Sequence, residues 1–152
     1  MSMKVEFGQS VMEFPSEQFG ELTDSSPLLG DSDALRERFH EDGYLYLPGL
    51  IDPEKVRGAR RRVMEYMAER EALVPGEPVF EGVMPKGGKT VNLMGQNPAT
   101  RDPEVLRALE AEELFGFFSS FYGEEPLTFD YKWMRAVGNE KFTGSHYDVV
   151  YM

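Results

Sequence analysis

The chain predicts an α+β fold, and three observations carry that reading. Two helix starts of the same design, Asp52-Pro53-Glu54 and Asp102-Pro103-Glu104, each join a capping carboxylate, a proline at the first helical position and an acid near the positive end of the helix dipole. Each opens a run with apolar residues at helical spacing. The third observation is the C-terminal stretch, where Asp130 to Val137 alternates polar and apolar residues and Thr143 to Met152 is rich in β-branched and aromatic ones. With Gly138-Asn139 opening the segment between them, these read as two strands and a loop.

A length of 152 residues with 41% hydrophobic and 12% aromatic content suits one globular domain with its own core. A net charge of -11 repels phosphate backbones and anionic lipid, so nucleic acid and membrane surfaces are poor partners and small molecules are better ones. Cysteine is absent, which excludes disulfides and thiolate metal sites and leaves His, Asp and Glu as donors. The N-terminus lacks the apolar run of a signal peptide and no window approaches a membrane span, so a cytoplasmic protein is expected.

Taken in order, residues 1–30 show no sustained periodicity and are interrupted by Pro15, Gly20, Pro27 and Gly30, which predicts an arm over the surface of a domain spanning 31–152. Asp31 or Ser32 caps a helix over 33–42, stopped by Gly43. Tyr44-Leu45-Tyr46-Leu47 follows as a short strand ended by Pro48-Gly49. The helix begun at Pro53 should run to about Ala72, with Val56, Ala59, Val63, Met64 and Met67 near one face and Arg57, Arg61, Arg62, Glu65 and Glu69 on the wet one. Acidic neighbours at helical spacing make Arg60-Arg61-Arg62 a solvated face and not a nucleic-acid patch.

Residues 73–100 are rich in Pro and Gly and predict a turn-laden connection into a short strand. Within them Gly82 to Thr90 is superficially like a phosphate loop, but five residues separate Gly82 from Gly88 where that motif needs four, and no helix start follows. From Pro103 the apolar stripe of Val105, Leu106 and Leu109 passes into Leu114, Phe117, Phe118, Phe121 and Tyr122, which predicts a core helix ending at Gly123.

His146 and Asp148 stand two apart on the last predicted strand. Side chains at that spacing leave one face with their roots about 6 to 7 Å apart, which suits two adjacent ligands on one small cation. An imidazole and a carboxylate, joined by a further imidazole, form the facial triad of non-haem Fe(II) oxygenases. On the preceding strand Asp130, Lys132, Met134 and Ala136 share one face, while Phe129, Tyr131, Trp133, Arg135 and Val137 share the other. The bulky face is expected to pack on the helices.

Three segments together resemble the phytanoyl-CoA dioxygenase family of Fe(II)- and 2-oxoglutarate-dependent oxygenases: Phe39-His40-Glu41-Asp42-Gly43-Tyr44-Leu45-Tyr46-Leu47-Pro48-Gly49-Leu50-Ile51-Asp52-Pro53-Glu54-Lys55-Val56, then Tyr131-Lys132-Trp133-Met134-Arg135-Ala136-Val137, then Thr143-Gly144-Ser145-His146-Tyr147-Asp148. The resemblance implies a double-stranded β-helix, the jelly roll, with N-terminal flanking helices. It implies His146 and Asp148 as iron ligands, 2-oxoglutarate as co-substrate and O₂-dependent hydroxylation of a small organic substrate; with the slimmer strand face turned into the barrel, Lys132 would meet the 2-oxoglutarate, the alternative being that it reaches out to solvent. Retention of Asp148 favours hydroxylation over halogenation. The second triad histidine and the arginine that pairs with 2-oxoglutarate would come from later strands, so the chain reads as the N-terminal portion of one oxygenase domain, inactive alone. His40, the other histidine, falls on the first helix and reads as a surface residue. The alternative is a binding or regulatory module on the same fold.

Overall fold

The computed structural model describes residues 2–7, 10–17, 19–87, 91–93, 98–132 and 134–136. The expected arm is structured at its start. Strands β1 (Met3–Phe7) and β2 (Ser10–Phe14) pair antiparallel, with Met3 opposite Phe14 and Val5 opposite Met12. The short spacing and the opposite charges of Lys4 and Glu13, which face each other across the pair, favour this hairpin where a search for long periodicity sees nothing. A single 3₁₀ turn follows at Ser26–Leu28.

Helix α1 (Ser32–Asp42) begins where Asp31 accepts the Ala34 N–H at 3.0 Å, and ends where Gly43, at φ 74°, donates its N–H to Phe39. The predicted strand after it is reduced to one parallel bridge between Tyr46 and Asp24. The Leu47 carbonyl then accepts the Leu50 N–H at 3.3 Å around Pro48-Gly49, and Gly49 takes φ 76° as a turn of this kind requires.

Helix α2 (Pro53–Glu69) and helix α3 (Pro103–Leu109) start alike, with Asp52 and Asp102 accepting the N–H groups of Glu54 and Glu104, each at 2.9 Å. Val63 and Met67 of α2 meet Val105 of α3, and Ala72, Val91 and Ala99 complete the buried cluster. Helix α4 (Glu112–Tyr122) closes on Gly123 at φ 77°.

The single helix expected from Pro103 to Gly123 is therefore two. Glu110 leaves α3 at ψ 35° and Ala111 enters α4 extended, at ψ 139°, with Ala111 buried in the junction. The break lets one apolar stripe serve two neighbours: α3 packs on α2, and α4 packs on α1.

Strand β3 (Asn92–Leu93) pairs antiparallel with β4 (Met134–Arg135), joining Leu93 to Met134. Here the expected facing is reversed. Met134 and Ala136 pack against the α2–α3 cluster, whereas Phe129 and Tyr131 are 77% and 58% exposed. The slimmer face fits the closely spaced helices, and the aromatic one does not. No helix among the described residues is long and apolar enough to cross a membrane.

Candidate functional site

Of the residues singled out for chemistry, His146 and Asp148 lie outside the described residues. His40 sits exposed in the last turn of α1. Among the described residues no group of three or more His, Asp or Glu side chains is disposed to hold a metal ion.

Lys132 is described, and its ammonium is already engaged. It pairs with Glu110 at 2.9 Å, donates to the Thr128 hydroxyl at 2.6 Å and also donates to the Phe129 carbonyl. Its side chain is only 12% exposed. Glu110 is also the residue that caps the C-terminal end of α3.

A second feature was not singled out from the sequence. Between α1, the Tyr44–Ile51 segment, the first turn of α2 and α4 runs an open cavity of about 590 Å³, a size ordinary for small-molecule pockets. Its walls are Phe39, Leu45, Leu47, Leu50, Ile51, Val56, Leu114, Phe117, Phe118, Phe121 and Tyr122, with Gly49 at a corner. Among the described residues, no charged one contributes. The stripe expected to be core lines this groove, and α4 has no fully buried residue.

Ring contacts order the floor. Phe117 stacks on Phe121 with centroids 5.7 Å apart, Phe118 stacks on Tyr122 at 5.8 Å, and Phe39 meets Phe121 edge-on at 5.9 Å. Polar contacts fix the frame: the Arg36 guanidinium donates to the Phe121 carbonyl at 2.6 Å, and the Ser32 and Ser120 hydroxyls lie 2.7 Å apart. Lys55 of α2 donates to both carboxylate oxygens of Glu113 at 2.8 and 3.0 Å. That hydrogen bond is the main reason the Glu113 carboxyl is held below its ordinary range. The sequence signal for the groove was present in the width of the α4 stripe, since Phe117, Phe118, Phe121 and Tyr122 span more of the helix than one neighbouring helix covers.

The chain is similar to one characterised protein over part of its length. It is 33% identical over 61 residues to 1-deoxypentalenic acid 11-beta-hydroxylase of Streptomyces arenae, a stretch that makes up 40% of this chain and 22% of the relative. The chain thus matches less than a quarter of that protein's length. No family model and no solved structure matches the chain. A distant, partial relative of this chain is a hydroxylase.

Proposed function

We propose that this chain is part of an Fe(II)- and 2-oxoglutarate-dependent dioxygenase of the phytanoyl-CoA dioxygenase type, hydroxylating a small organic substrate on a jelly-roll scaffold. The observation that carries the proposal is the partial identity with a hydroxylase, in a chain that also contains His146-Tyr147-Asp148. The donor chemistry fits the metal: an imidazole and a carboxylate together suit a borderline cation such as Fe(II), and with no cysteine in the chain no thiolate competes. When bound, the iron and its co-substrate supply the O₂-dependent oxidation.

What this chain contributes is binding and orientation. His146 must be neutral to donate a lone pair, and Asp148 must be ionised, so metal affinity is expected to fall at acid pH as both take up protons. Lys132 is a secondary cation in this proposal, meeting 2-oxoglutarate only by exchanging the Glu110 carboxylate for that of the co-substrate. The relative's name gives an organic acid as its substrate, and from it we take over only the class, a small organic molecule.

The test is direct. The complete gene product, given Fe(II), 2-oxoglutarate and O₂, is expected to release succinate, and His146→Ala or Asp148→Ala to abolish that release. Calorimetry in which neither Fe(II), Mn(II) nor 2-oxoglutarate binds would overturn the proposal, and binding without succinate release would assign a non-catalytic module.

A further inference from the structure

The Tyr44–Leu47 segment has the residues of a strand, and one of its edges is in use. The Tyr46 carbonyl accepts the Ser25 N–H at 2.8 Å, on the side that bridges to Asp24. In extended backbone, consecutive residues turn their polar groups to opposite sides, so Leu45 and Leu47 present theirs away from Asp24. Among the described residues no hydrogen bond reaches the amides of Leu45 and Leu47 or the carbonyl of Leu45. The Leu47 carbonyl, which accepts from Leu50, keeps a second lone pair. Pro48-Gly49 then turns the chain, so the open edge ends at Leu47.

An edge of this pattern is complementary to itself. Set antiparallel about a two-fold axis through Tyr46, it brings the Leu45 N–H of each copy to the Leu47 carbonyl of the other, and the Leu47 N–H of each to the Leu45 carbonyl of the other. Every unmet group on the edge is then paired. The two Tyr46 side chains, on a residue 42% exposed, come to face each other at the non-hydrogen-bonded position, where cross-strand neighbours lie closest.

The apolar surface points to the same occupant. Leu45 and Leu47 line the groove with Phe117, Phe118 and Phe121, and two-fold pairing sets Leu45 of each copy beside Leu47 of the other, extending the wall of both grooves at once. A small apolar molecule would cover the rings and leave the backbone unmet. Charge agrees, because copies of a chain with net charge -11 repel over most of their surface, whereas the described lining of the groove is uncharged. We propose that the Leu45–Leu47 edge is a homodimer contact, at which two copies of this chain pair antiparallel about a two-fold axis at Tyr46. This inference does not depend on the metal reading.

Sedimentation and amide hydrogen exchange on the intact 152-residue chain test it. A monomer–dimer equilibrium is expected, with the Leu45 and Leu47 amides exchanging about tenfold more slowly where dimer dominates than at dilution, while the Val63 and Met67 amides keep one rate. Tyr46→Lys and Tyr46→Asp each set like charges opposite one another at the axis, and each variant alone is expected to stay monomeric where the unaltered chain is dimeric. Mixed in equal amounts, the two variants oppose an ammonium to a carboxylate and are expected to recover both the dimer and the protection, which misfolded variants would not. A chain that is monomeric at every concentration would overturn the proposal, as would protection of Leu45 and Leu47 that is the same at all concentrations. A dimer that survives in either variant, or a mixture that remains monomeric, would overturn it equally.

Discussion

Gly58 and Gly82 both lie in contact regions, yet a methyl group added at each meets a different obstacle. At Gly58, inside α2, an added Cβ would lie 2.8 Å from Oε2 of Glu104, the far end of a flexible side chain whose other oxygen accepts from Arg107 at the helix surface. At Gly82 it would lie 2.5 Å from the Met64 sulfur, in a backbone already at φ 66°. Gly58→Ala is therefore expected to be neutral or to stabilise, since alanine gains up to about 1 kcal/mol over glycine inside a helix. Gly82→Ala is expected to cost about 2 kcal/mol, because the left-handed conformation penalises any Cβ and the sulfur must also move. Denaturant midpoints of the two variants, measured side by side, check the pair; equal midpoints would refute the distinction.

Among the elements, the helix starts were legible in the sequence because their causes are local. Asp31, Asp52 and Asp102 each cap an N–H two or three residues away, and Gly43 and Gly123 end their helices by accepting positive φ. The break at Glu110 and Ala111 was not legible, because the apolar spacing continues through it and only the separate neighbours of α3 and α4 demand it. The caps differ in what else they hold. Asp52 caps alone, whereas Asp102 also accepts from Nε of Arg62 at 3.0 Å and so joins α3 to α2. Asp52→Ala is expected to lower stability by about 1 kcal/mol, and Asp102→Ala by more, as thermal melts would show.

The Lys55–Glu113 pair acts at the same scale, binding α4 to α2. Its carboxyl, hydrogen-bonded chiefly by Lys55, titrates below its ordinary value of 4.5 in the folded state. The resulting stabilisation is full above that ordinary value and is lost as pH falls through the depressed one. Glu113→Gln is thus expected to flatten the decline of melting temperature with acidification below about pH 4.5, relative to the unaltered chain. Parallel curves for the two proteins would show that the pair contributes nothing.

At the level of the whole molecule, the α2–α3 core was readable because Val63, Met67 and Val105 recur on faces that the sequence itself defines. The facing of the 129–136 stretch was not. Choosing between Met134 with Ala136 and Phe129 with Tyr131 depends on how closely the helices leave room for a strand, which no local window contains. The α4 stripe misled for a related reason: apolar periodicity shows that a face avoids water, but not which part of the chain relieves it. The oxygenase reading rests on His146 and Asp148, outside the described residues, and on likeness to a hydroxylase over 61 residues.

The contact between Arg62 and Asp102 also bears on how fast this chain can fold. It joins residues 40 apart, and closing a loop of that length costs about 3 kcal/mol of chain entropy before any packing rewards it. If that closure limits the rate, Asp102→Ala slows refolding while leaving the unfolding rate nearly unchanged. Stopped-flow mixing separates the two limbs, and a variant that only unfolds faster would place the joining of α2 and α3 on the native side of the barrier.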